Sequence, residues 1–212
     1  MVRISYSNAV GSLMYVMMCT RPDICYAVGM LSRYQSNPGQ PHWKAVKWIM
    51  RYLNGTIDYS LYYQGKDLYL EGYTNTDWGG DLDERKCTSE YVFLLGNRVI
   101  SWSNKKQTCV TLSTIEAKFV ALSIAIQEIV WLKRFLNHLS VVNDLPNSVI
   151  VNCDSQVAIA FIRDPKYHLK TKHIDTRYNF VRDIITQKDM CLESLHKMIV
   201  DPFTKPIPRD LF

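Results

Sequence analysis

The chain has 212 residues, a hydrophobic share of 47% and a charged share of 21%; these values exclude wholesale disorder and allow one large domain or a small domain with an appendage. The formal net charge is +5, from 25 basic and 20 acidic residues, which permits a polyanionic partner without demanding one. The six cysteines form no close Cys-x-x-Cys pair and the five histidines show no ligand spacing, so neither a zinc site nor a disulfide framework is indicated, and the thiols read as reduced and partly buried.

Residues 7–54 read as a small helical unit. Ser7 is the expected cap of a first helix carrying Val10, Leu13, Met14 and Met17 on one side. Pro22 suits the start of a second helix with Ile24, Val28 and Leu31, and the Pro38-Gly39-Gln40-Pro41 stretch punctuates the chain. A third helix is predicted over His42 to Leu53, with Trp43, Val46, Met50 and Leu53 in helical rhythm and Gly55 as a left-handed cap. Trp43, Trp48 and, further on, Trp131 are expected in the core, while Trp78 packs a loop. No apolar run reaches the ~20 residues needed to span a bilayer. The first residues lack a basic-then-apolar targeting pattern, which leaves cytoplasm, nucleus or an organelle open.

The pattern then changes to strands. Leu68 to Thr74, Glu90 to Leu95 and Arg98 to Ser103 are predicted strands, with Gly96-Asn97 as the hairpin turn between the last two. Ser113 to about Leu139 reads as one long helix whose buried stripe is Phe119, Leu122, Ile126, Ile129, Val130 and Leu136. A short strand over Ser148 to Cys153 and helices over Ser155 to Arg163 and Thr171 to Thr186 follow. Leu192 to Val200 holds an extended segment, and Pro202, Pro206 and Pro208 limit regular structure beyond it. The fold class is therefore α/β, a mixed sheet with flanking helices, preceded by the helical unit.

Cleaving a phosphodiester with paired divalent ions requires several converging carboxylates, because the ions sit ~3.5–4 Å apart and repel. The acids available are Asp77, Asp81 and Asp83 after the first strand, Glu116 on the long helix, Asp154 after the fourth strand and Asp201 near the tail. Asp154 stands out, since an acid between strand and helix points into a crevice; capping the next helix is its plain alternative role.

Several phrases, in order, cover nearly the whole chain: Ala9-Val-Gly-Ser-Leu-Met-Tyr15, Thr20-Arg-Pro-Asp-Ile24, His42-Trp-Lys-Ala-Val-Lys-Trp48, Arg51-Tyr-Leu-Asn-Gly-Thr56, Gly72-Tyr-Thr-Asn-Thr-Asp-Trp78, Leu112-Ser-Thr-Ile-Glu-Ala-Lys118, Thr171-Lys-His-Ile-Asp175 and Asp201-Pro-Phe-Thr-Lys-Pro206. In these the sequence resembles the end of the Pol polyprotein of plant copia-type retrotransposons. The resemblance implies a reverse-transcriptase thumb or connection remnant over residues 1–60 and a ribonuclease-H-like domain over residues 61–212. It also implies a nuclease that uses Mg²⁺ to remove RNA from an RNA–DNA hybrid, with acids from the first strand, the long helix, the fourth strand and the C-terminal helix.

Carried over position by position, those acids fall on Asn75, Lys118, Asp154 and Asp201, so two of the four carboxylates are lost. Asn75 keeps an oxygen without the full charge, whereas Lys118 brings an ammonium that is expected to pair with Asp154 or Asp201 and fill the metal's space. Asp77 and Glu116 are the candidate substitutes. Glu90 also departs from the family phrase, standing where a glycine is usual at the start of a strand, and Asn179 stands where histidine is usual.

The expectation is little or no catalysis, with no cofactor, and Mg²⁺ as the ion if activity survives. Two alternatives stand beside it: a weak Mg²⁺-dependent endonuclease acting on the RNA of hybrids, and an adaptor subunit of a larger assembly. Lys170, Lys172, His173 and Arg177, with Lys166 and His168 nearby, form a basic stretch that the family places on the hybrid side; Lys105 and Lys106 read as a solvated terminus. The apolar face of the 7–54 helices is the surface expected to meet a protein partner.

Overall fold

Ser5 begins the first helix. In the computed structural model its side chain accepts the Asn8 amide at 3.2 Å, and α1 runs over Tyr6–Cys19, so the cap lies before the expected Ser7. The structure describes residues 5–63, 68–77, 84–139, 148–163, 172–186 and 190–194, with the backbone alone for 172–176. Within it the chain separates into two compact units, one up to Tyr62 and one from Tyr63.

In the first unit Pro22 opens a 3-10 turn, Pro22–Ile24, that runs into α2 (Cys25–Ser32), and α3 spans Gln40–Gly55. Gly55 does not act as a left-handed cap: it is the last helical residue, and the Thr56 amide closes the turn on the Leu53 carbonyl. Val10, Leu13, Val28, Leu31, Val46 and Ile49 from the three helices, with Ile24 from the 3-10 turn, form one core. Each such side chain removed from water contributes about 1.5–3 kcal/mol before entropy is counted. Arg21 ties the turn to the end of α3. Its guanidinium donates to Asp23 at 2.6 Å and to the Thr56 hydroxyl at 2.7 Å, and the Tyr52 hydroxyl also donates to Asp23 at 2.8 Å. Burial pushes the Asp23 carboxyl up, but these hydrogen bonds outweigh it and hold the group below its ordinary range.

Trp43 packs partly into this core, but two other tryptophans depart from expectation: Trp48 and Trp131 are 56% and 55% exposed. Trp48 lies on α3 under the Lys44 ammonium, and Trp131 stacks on Phe135 one turn along its helix. Trp78 lies outside the described residues.

The second unit is a five-stranded mixed sheet in the order β3-β2-β1-β4-β5, from β1 (Leu70–Asp77), β2 (Thr88–Leu95), β3 (Arg98–Lys106), β4 (Val149–Cys153) and β5 (Met190–Ser194). The first three strands form an antiparallel meander, whose β2–β3 turn at Gly96-Asn97 has φ of 56° and 64°, the mirror-image turn that suits the twist of a hairpin. β4 and β5 pair parallel to β1 and β4, which requires crossovers. These are supplied by α4 (Thr114–His138), then by α5 (Gln156–Arg163) and α6 (Lys172–Thr186). This is the ribonuclease-H-like mixed sheet with flanking helices that the sequence implies.

Alternation along β1 sorts its side chains. Leu70 joins the core with Phe93, Phe119, Leu122, Ile126, Val151 and Leu192 on the α4 side, whereas Tyr73 packs with Val92 and Leu94 on the other. A Cβ on Gly72 would come within 2.4 Å of the Phe93 ring, so glycine is what lets this ring lie over β1. Phe119, Phe161 and Tyr178 meet edge-on or tilted and join α4, α5 and α6.

Candidate functional site

Parallel β1 and β4 end on the same side of the sheet, and the helix after β4 starts there, so the crevice at their carboxyl ends is the natural place for a site. The last parallel pair is Thr74 with Cys153, and Asn75 and Asp154 each follow immediately. On the other side of β1, Asn75 pairs with Glu90, and Glu90 in turn with Asn104 of β3. The register therefore lines up Asn75, Glu90 and Asn104 across neighbouring strands, with Asp154 just past the end of β4. Asn75 shares its face of β1 with Tyr73, away from α4.

Lys118, on the second turn of α4, closes this row at the Asp154 end. Its Nζ donates to Asp154 Oδ2 at 2.7 Å, and the two side chains are only 22% and 29% exposed. Of the two acids that the ammonium was expected to seek, the structure places it on Asp154; Asp201 lies outside the described residues. Burial pushes the neighbouring Cys153 thiol up, which leaves it a protonated packing residue.

Asp154 does not cap the following helix. Ser155 does, accepting the Ala158 amide at 3.1 Å, because a short hydroxyl next to the first turn reaches the free amide while the Asp154 carboxylate is held by Lys118. The Glu116 carboxylate is held at the start of α4. Its Oε2 accepts the Leu112 amide at 2.7 Å while Ser113 Oγ accepts the Glu116 amide at 3.2 Å, a reciprocal cap at the start of α4. Asp77 closes β1 opposite Thr88; it shares the Asn75 face but lies about 7 Å further along the strand. Asn75 is buried, and its Oδ1 accepts the Thr76 amide at 2.7 Å, so this oxygen is turned back onto its own backbone.

Among the described residues, those at the positions expected to carry the acids do not fit a pair of divalent ions: they offer one carboxylate, one neutral amide and an ammonium already on that carboxylate. Among the described residues, no group of three or more His, Cys, Asp or Glu side chains is disposed to hold a metal ion.

The basic candidates do not gather into one described surface. Arg177 turns onto α4, where its Nη1 donates to Ser123 Oγ at 3.4 Å. Lys172 and His173 stand at the start of α6, but their side chains, like Lys166, His168 and Lys170, lie outside the described residues, as do Asp81 and Asp83. Lys105 is exposed, whereas Lys106 pairs with Glu84 at 3.0 Å.

The sequence reading left Glu90 out of the site. It is 1% exposed, lies inside β2 and accepts the Asn104 amide at 2.5 Å. Its signal was an acid on the inward beat of an otherwise apolar strand. Gln107 was also missed. Its buried Nε2 donates to Ser89 Oγ at 2.8 Å and to the Ala117 carbonyl at 3.0 Å, which pins α4 to the sheet beside Lys118.

No family model matches the chain. It is 45% identical over 214 residues to the retrovirus-related Pol polyprotein from transposon TNT 1-94 of Nicotiana tabacum, a match covering 100% of this chain and 16% of that protein. It is 36% identical over 210 residues to the corresponding polyprotein from transposon RE2 of Arabidopsis thaliana, covering 98% of this chain and 14% of that protein. The chain therefore spans less than a fifth of the length of these relatives. Among solved structures, the foamy viral protease–reverse transcriptase dRH in complex with double-stranded DNA superposes with a TM-score of 0.59, over 91% of this chain and 32% of that one; at 11% identity this bears on the fold alone.

Proposed function

We propose a function from one premise: the chain belongs to the Pol polyprotein family of plant copia-type retrotransposons. Its second unit is a ribonuclease-H-like domain of retroelement origin, and in our reading it no longer cleaves RNA–DNA hybrids at a useful rate. The observation that carries this is the Lys118–Asp154 ion pair at 2.7 Å. A positive charge sits against the carboxylate that would anchor the metal, and an amide stands where a second carboxylate is expected. A crevice whose carboxylate is neutralised by an ammonium offers a divalent cation no net negative charge to hold it.

What remains for the domain is structural, with weak backbone affinity for a hybrid through Lys170, Lys172 and His173 near α6. A helical remnant of reverse transcriptase, over residues 1–60, precedes the domain. The deciding experiment is hybrid cleavage by the purified protein in Mg²⁺ and in Mn²⁺. We expect no turnover above background; turnover that D154N abolishes would overturn the reading. Hybrid affinity measured at several salt concentrations tests the residual binding, and its log–log slope should fall by about one when Lys172 is replaced by Gln.

One observation favours a second reading, an adaptor that docks through the first unit. A groove of about 540 Å³ between α2 and α3 is lined by Ile24, Ala27, Met30, Leu31, Trp48 and Ile49. An exposed apolar concavity of this kind suits an apolar side chain from another protein. An anilinonaphthalene sulfonate dye should bind it and be released by W48E; a dye-silent protein would remove the support.

A further inference from the structure

We infer that Glu90 is a positioning residue that excludes a carboxylate at position 75, so the departures at 75 and 90 form one coupled exchange. The inference deepens the reading of a disabled acidic site and rests on it only for its functional meaning. Its physical basis is the sheet register. Asn75 and Glu90 are direct partners on adjacent antiparallel strands, 7% and 1% exposed, with side chains on the same face. Directly opposed side chains of such a pair have Cβ atoms ~4.5–5.5 Å apart.

Glu90 is fixed there. Its Oε1 accepts the Asn104 Nδ2 from the strand beyond, and Asn104 is its own cross-strand partner. The carboxylate therefore cannot swing out to solvent without leaving that amide behind. An aspartate at 75 would stand directly opposite an acid sealed from water, and two acids so placed and so poorly solvated destabilise one another when both are ionised. An asparagine carries no charge there. Its retained Oδ1 bond to the Thr76 amide fits this neutral role.

Restoring the missing acid by N75D alone should therefore damage the fold instead of rebuilding the site. The test is a denaturant-unfolding cycle at pH 7 on the full chain with N75D, E90Q and the double variant. E90Q keeps the shape and can still accept the Asn104 amide. N75D should lower the folding equilibrium constant at least about tenfold in the wild-type background, and its effect should shrink by about tenfold in the E90Q background. Equal effects of N75D in both backgrounds would overturn the coupling. If N75D fails to fold but N75D/E90Q folds, the coupling is upheld; if neither folds, it is overturned. Manganese titration of the wild-type protein separates the two ideas: tight binding would defeat the reading of a disabled site, yet would leave the result of the cycle untouched.

Discussion

Replacing Lys118 by Met removes the ammonium from Asp154 while keeping most of the side-chain bulk. Two unit charges 2.7 Å apart attract by about 6 kcal/mol at an effective dielectric near 20, but withdrawing both from water costs several kcal/mol, and hydrogen bonds to charged groups net about 1.5–3 kcal/mol. With side chains still 22% and 29% exposed, solvent screens part of that remainder. A coupling of about 1–2 kcal/mol is therefore expected. Urea unfolding of K118M, D154N and the double variant reads it directly. K118M should be the more damaging single change, because it leaves a charged carboxylate alone; D154N should be milder, because the lysine stem can reach water. K118E should be worse than K118M in metal-free buffer, and Mn²⁺ should recover part of that loss. If the single effects simply add, within about 0.5 kcal/mol, the ion pair is a contact without energetic weight and the electrostatic account of the crevice fails.

Gly72→Ala should cost about 1–3 kcal/mol, read as a lowered thermal midpoint, because its Cβ would press on the Phe93 ring that fills the core over β1. Glu116→Ala should cost about 0.5–2 kcal/mol as a lost cap, with manganese binding unchanged; a change in metal affinity would return Glu116 to the site. In the first unit, the Asp23 carboxyl is held below the ordinary range of an aspartate, so its contribution is present above that range and is lost as pH falls through the lower folded value. Acid titration followed by tryptophan fluorescence should show this limb for the wild type and not for D23N.

The element order was legible in the sequence because strong periodicities carry it. The α4 stripe at Phe119, Leu122, Ile126 and Ile129, the Gly96-Asn97 turn and the strand–helix junction at Asp154 all fall where the pattern put them. Boundaries moved where two signals competed. Ser5 and Ser7 are both fit to cap α1, and packing of Tyr6 into the core chose the earlier one. Gly55 is permitted a left-handed turn but not compelled to take one, and the helix ran through it. Trp48 and Trp131 were placed inside by residue type, yet the helix face, not the residue type, decides burial.

By itself the sequence determined the family and the fold class, since these depend on residue identity in a fixed order, and it set the expectation that Asn75 and Lys118 stand in place of two acids. The tertiary structure decided what fills the gaps. It set Lys118 on Asp154, gave the helix cap to Ser155, turned Glu116 to the Leu112 amide and placed buried Glu90 beside Asn75. Each of those outcomes joins residues far apart in the chain or chooses between two local partners. Only strand register and helix rotation fix such distances, and charge interactions fall off too steeply with distance to be read from order alone.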